Sequence, residues 1–170
     1  PSGLLSSEEL PSAGSVDRTP EEMYHSNRQW IKHREASVRE GVCPDCSGSV
    51  LVQRICICDD HHPDPEDSDV CGGCGSIYWG MVHHACGVCR SRWQIPTLFY
   101  PTIHPAVIAF YYDHRIEFDS VSHEKRVTLL DYLEEVVSED PLRFRTTIPL
   151  EGDELRVTFD EQMSVVDISV

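Results

Sequence analysis

The sequence lacks any apolar run near the roughly eighteen residues that a membrane helix needs, so no helical span is expected. It is also poor in positive charge. Lys and Arg total 14 against 29 Asp and Glu, a net charge of −15. That balance argues against a tight grip on nucleic acid by this chain alone, because phosphate contacts need a basic patch. There is no Gly-rich phosphate loop, no outstanding Ser-His-Asp spacing and no carboxylate pair set in an apolar pocket. No residue is therefore singled out as catalytic, and a non-enzyme is expected. No secretory signal is seen either, which favours a reducing, cytoplasmic setting. The chain opens on Pro1 and reads as a piece of a longer protein.

The spread of acidic residues has two readings. A surface kept soluble at high salt is favoured. A basic partner is the other. The main basic concentration is Arg28, Lys32, His33, Arg34 and Arg39, which reads best as a solvated helix face.

What is present is cysteine in pairs. Cys43 and Cys46 are followed, eleven residues on, by Cys58 and His61. Cys71 and Cys74 are followed, again eleven residues on, by Cys86 and Cys89. Two residues between ligands is the spacing of a knuckle, a tight turn that aims both side chains at one ion. Four knuckles supply eight ligands, enough for two closed tetrahedral sites. A closed site points to structural zinc, because no position is left for water or substrate. A disulfide framework or a redox pair at Cys71 and Cys74 fits the fourfold spacing less well.

Both eleven-residue gaps read as strands. The first, Ser47 to Ile57, is rich in β-branched residues; the second, Gly75 to Ala85, has Gly80 as a candidate bulge. Antiparallel pairing would join Cys43 and Cys46 to Cys86 and Cys89 as site 1, and Cys58 and His61 to Cys71 and Cys74 as site 2. This nested arrangement is favoured. A tandem arrangement, with each consecutive pair of knuckles on one ion, needs a reversal inside each gap, and Gln53-Arg54 is a poor turn. A cross-braced arrangement stays open. Cys56 is left over, either an alternative to Cys58 or a buried thiol.

The flanks complete an α+β chain. Residues 1–18 read as a linker and 19–41 as a helix, with Thr19-Pro20-Glu21-Glu22 as its start and Gly41 as its stop. Residues 42–97 form the zinc-ribbon hairpin, and 98–170 an α+β unit. Arg90 to Ile95 is a further strand. His104-Pro105 opens a helix that is apolar nearly all round, so it is expected to be buried in the fold or in an interface. Ser122 is expected to cap a helix over 123–138 on a stripe of Val127, Leu130, Leu133 and Val137. A three-stranded antiparallel meander follows: 142–150, 154–160 and 163–170.

The run Gly41-Val-Cys-Pro-Asp-Cys46-Ser-Gly, the later Cys86-x-x-Cys89 and above all His104-Pro-Ala-Val-Ile-Ala-Phe-Tyr-Tyr-Asp-His114 resemble the C-terminal region of haloarchaeal ArsR-type winged-helix transcriptional regulators. The resemblance covers most of 20–170. It implies a zinc-stabilised regulatory or dimerising module that reaches DNA only through a winged helix lying upstream. It also favours the nested pairing and a homodimer. A zinc-ribbon protein contacting RNA polymerase or another nucleoprotein is the alternative.

Overall fold

The computed structural model describes residues 11–61, 71–116 and 132–170. Helix α1, Pro20–Arg39, starts where its capping residues place it. The Thr19 hydroxyl accepts from the Glu22 N–H at 3.3 Å, and the Glu22 carboxylate accepts from the Thr19 N–H at 2.7 Å. These reciprocal bonds satisfy amides that a helix start otherwise leaves open. Gly41, at φ +77, takes the left-handed turn that ends the helix. Val38 anchors the last turn in the core, and Arg39 donates to the Phe99 carbonyl at 2.7 Å. Along one side of α1, Asn27 and Val38 are buried, and Met23, Trp30, Ile31 and Arg34 are partly covered. Arg34 lies 4.4 Å from the centroid of the Trp30 ring.

Strands β1 (Val50–Ile57), β2 (Gly80–Cys86) and β3 (Arg92–Pro96) form an antiparallel sheet in that order. Val50 faces Cys86 and Ile57 faces Gly80, so the start of β1 lies beside the end of β2. The expected second strand is shorter than the spacing suggested, because residues 76–79 lie outside it. The bulge also sits elsewhere, in β1 between Val52 and Arg54. Gly80 has a different task. A Cβ there would lie 2.4 Å from the Thr97 Oγ1, so glycine is what lets the fully buried Thr97 pack onto the strand.

Two short 3-10 turns, Thr97–Phe99 and Pro101–Ile103, lead into α2, Pro105–Asp113. The His104 Nδ1 accepts from the Ala106 N–H at 3.2 Å and caps the helix. Val107, Phe110 and Tyr111 are buried, while Ile108 and Tyr112 stay exposed, so the fold covers one side of this apolar helix. His114 closes its end against the Phe110 carbonyl at 2.8 Å and reaches Asp153 at 3.2 Å.

The second sheet has four antiparallel strands in chain order: β4 (Leu133–Glu139), β5 (Leu142–Leu150), β6 (Asp153–Asp160) and β7 (Val165–Ser169). Alternate residues of β5 and β6 pair on one buried face: Phe144 opposite Phe159, Thr146 opposite Val157, Ile148 opposite Leu155. The expectation of a helix over 123–138 is corrected at its C-terminal end; its remainder up to Asp131 lies outside the described residues. Residues 133–139 are a strand whose burial alternates with period two, turning Glu134, Val136 and Ser138 inward. Pairing with β5 outweighs the helical spacing of Leu133 and Val137, both of which are exposed.

One hydrophobic cluster joins both sheets to the two helices, from Val38 and Val82 through Tyr111 to Phe144 and Phe159. Trp79 packs on Phe144 and Tyr100 on Phe159 across the junction. A polar group sits at the same seam. Glu134, opposite Thr146, has an Oε1 cut off from solvent, and the hydroxyls of Thr97 and Thr146 are equally enclosed. Burial pushes the Glu134 carboxyl up to about 7, which the Thr97 side chain only partly offsets.

Candidate metal centres

Three of the four knuckles share one backbone pattern. The N–H of Cys43 donates to the Gly48 carbonyl at 2.8 Å, that of Cys71 to Ser76 at 2.9 Å and that of Cys86 to Ser91 at 2.9 Å. Each bond closes a loop of six residues, from the first cysteine to the acceptor. In each loop the residue after the second cysteine has positive φ: Ser47 at 59, Gly75 at 67 and Arg90 at 69. Left-handed backbone at that place folds the chain back so that both thiols face the same way. The amides of Asp45, Val88 and Cys89 then point at sulfur, at 3.4 Å to Cys43 and 3.3 and 3.5 Å to Cys86. The knuckle of Cys58 and His61 is built differently. It continues β1, and its Cys58 N–H donates to the Trp79 carbonyl at 3.0 Å.

The antiparallel register gathers the knuckles at the two ends of the β1–β2 pair. Cys43, Cys46, Cys86 and Cys89 form one group and Cys58, His61, Cys71 and Cys74 the other, each with all ligand atoms within 4.8 Å of one another. Cys56 joins neither; it lies opposite Met81 within the sheet.

Distances separate a metal site from a disulfide. In the first group the sulfurs of Cys43 and Cys89 are 3.6 Å apart, as are those of Cys46 and Cys86. A disulfide needs about 2.05 Å. A tetrahedral ion with bonds of about 2.3 Å to sulfur needs an S···S edge of about 3.8 Å. In the second group the Cys74 sulfur and the His61 Nδ1 are 3.5 Å apart, close to the edge of about 3.6 Å for one sulfur and one nitrogen on such an ion. Both donor sets fit a metal ion.

Proton affinities say the same. The Ser91 hydroxyl and amide bring Cys89 down to about 6, and the neighbouring amides hold Cys86 low despite its burial. The Gly48 amide favours the Cys46 thiolate, yet the crowding of Cys89, Cys43 and Cys86 with burial pushes it up to about 12. In the second group burial, then Cys74 and Cys71, push Cys58 up to about 11. Thiolates so close together cannot all ionise alone. A bound cation removes the conflict, and metal uptake would release protons.

Sequence spacing picked out the eight residues that the structure gathers into two groups, but not the left-handed residues behind them. Gly75 is the only glycine of the three; Ser47 and Arg90 carry no such mark. Among the described residues no helix is long and apolar enough to cross a membrane.

The chain matches the family described as Domain of unknown function (DUF7351) over residues 2–165, and it belongs to that family. No curated protein and no solved structure matches it.

Proposed function

We propose that this member of the DUF7351 family is a non-catalytic zinc module whose two ions are structural. The observation that carries the reading is the agreement of the 3.6 Å S···S and 3.5 Å S···N separations with the edges of a zinc tetrahedron. Each group supplies four ligands, so a bound ion has no open position for substrate. Zinc suits this mixture of thiolate and imidazole better than the hard cations, which prefer oxygen.

The module serves a transcriptional regulator of the haloarchaeal ArsR type, in the cytoplasm. This part of the reading rests on the resemblance of Gly41–Gly48 and His104–His114. It assigns DNA contact to a winged helix elsewhere in the regulator, and self-association to this chain. The exposed Ile108 and Tyr112 on α2 support an apolar contact between two copies. A zinc ribbon that contacts RNA polymerase or another nucleoprotein is the second reading, favoured by a sheet whose strands carry no carboxylate.

X-ray absorption at the zinc edge tests the first part. Seven sulfurs and one nitrogen over two ions give an average shell of mostly sulfur near 2.3 Å. A shell dominated by light atoms would reject it. Sedimentation in high salt tests the second. A dimer that becomes a monomer in Tyr112→Glu is expected; a monomer in the unaltered protein rejects self-association.

A further inference from the structure

The three-stranded sheet has two unlike faces. Gly80, Val82, His84 and Cys86 of β2 are buried toward the core. The register therefore sets the other face: Leu51 opposite Ala85 opposite Arg92, then Arg54 opposite His83 opposite Gln94, then Cys56 opposite Met81 opposite Pro96. Leu51, Arg54, Arg92 and Gln94 are exposed.

The charge on this face runs against the rest of the chain. None of the 29 acidic residues lies between Ser47 and Ile57 or between Cys71 and Tyr112, so no strand of this sheet carries a carboxylate. Neither Arg54 nor Arg92 forms an ion pair among the described residues. Arg54 stands directly across from His83. The imidazole is held below its usual range by partial burial and then by that guanidinium. The neutral ring supplies no counter-charge, so the guanidinium stays uncompensated across the strand pair. In a chain of net charge −15 a neutralising carboxylate would be easy to place. A local rule broken without structural gain marks a surface that meets something else. Arg90 is left aside, because it adjoins a four-thiolate site that would be net negative with a divalent ion.

We infer that this face docks an acidic, amphipathic segment of a partner polypeptide. Arg54 and Arg92 would each take a carboxylate in a two-pronged contact, and Gln94 would offer amide hydrogen bonds. Leu51, Ala85 and Met81 supply apolar surface on the same face, with His83 between Ala85 and Met81 along β2. Nucleic acid fits less well. The face has no Phe, Tyr or Trp for bases to stack on, since Trp93 belongs to the core side and packs against the core cluster. Two arginines are few for a phosphate backbone, which rewards a longer run of basic side chains than this face offers.

The test uses the metal-loaded full chain and a short fluorescein-labelled peptide of glutamate with interspersed leucine. Anisotropy and amide NMR shifts are read together. The expected result is saturable binding that weakens with salt, with shifts centred on Leu51, Arg54, His83, Ala85, Arg92 and Gln94. The double variant Arg54→Glu, Arg92→Glu should weaken it by about tenfold or more, and Arg54→Gln, which adds no new charge, should weaken it less. Both positions are exposed, and unchanged circular dichroism and metal content verify folding. No saturable binding, shifts centred on α1, or equal affinity in the double variant overturns the inference. So do shifts that track protein concentration rather than peptide, and binding of a single-stranded oligonucleotide on this face in preference to the peptide. Metal content is a separate readout, so failure here is distinguishable from failure of the zinc reading.

Discussion

The sulfurs of Cys43 and Cys89 lie 3.6 Å apart although 46 positions separate them in the chain. The strands β1 and β2 make that meeting possible, and the same strands bring Cys58 and Cys74 together at their other end. The two candidate metal sites at opposite ends of one strand pair share a scaffold but no ligand residue. Cys58→Ser should therefore lower the zinc content from two per chain to one and leave the amides around Cys43 and Cys86 unshifted. Loss of both ions from this single change would mean that the sites are not independent.

Gly80→Ala tests the seam between β2 and the turn after β3. The added methyl would meet the buried Thr97 side chain, at 2.4 Å from Oγ1 and 2.8 Å from Cγ2. Overpacking of this kind costs about 1–3 kcal/mol. Thr97→Ala in the same protein should recover part of the loss, giving a non-additive pair in denaturant melts. Additive effects would show that the two positions do not press on each other.

Glu134 gives a dependence on pH with a definite sign. Its carboxyl titrates at about 7 in the folded chain, above the value of about 4.3 expected when unfolded. The folded state therefore holds the extra proton between these values. Stability is lost as pH rises through that window and stays lost above it, by up to about 4 kcal/mol. Glu134→Gln should stabilise more at pH 8 than at pH 6, by about 1 kcal/mol. Denaturant melts in excess zinc at the two pH values measure this, and the difference between variant and parent cancels the ligands' own protons. An equal gain at both would place the titration elsewhere.

Much of this is legible in the sequence alone. The capping residues Thr19 and Glu22 mark the first turn of α1, and the faces of β5 and β6 follow from plain alternation. The two matched gaps between knuckles imply the nested register that β1 and β2 adopt. Other features had no local signal. The bulge at Gln53 leaves no turn residue behind, and Ser47 and Arg90 are left-handed without being glycine. Strand β4 was hidden because Leu133 and Val137 also satisfy a helical stripe; only pairing with β5 decides between the two periods. The carboxylate-free sheet was readable letter by letter. Its meaning required the register that puts Arg54, His83 and Gln94 in one row.

Chelation should separate the two halves of the core. Both ends of the β1–β2 pair are held by the knuckles, and zinc binding in small domains is worth on the order of 10 kcal/mol. A strong chelator should remove amide protection from β1 and β2 while β5 and β6, joined along eight residue pairs, keep theirs. Protection retained along β1 after metal removal would make the ions accessory to the fold.

Native mass spectrometry of protein purified without added metal bears most directly on the central claim. The account predicts a single species carrying two zinc ions, with no disulfide and with Cys56 alone open to alkylation. A metal-free species, a species with one ion at most, or cysteines joined in disulfides would contradict it.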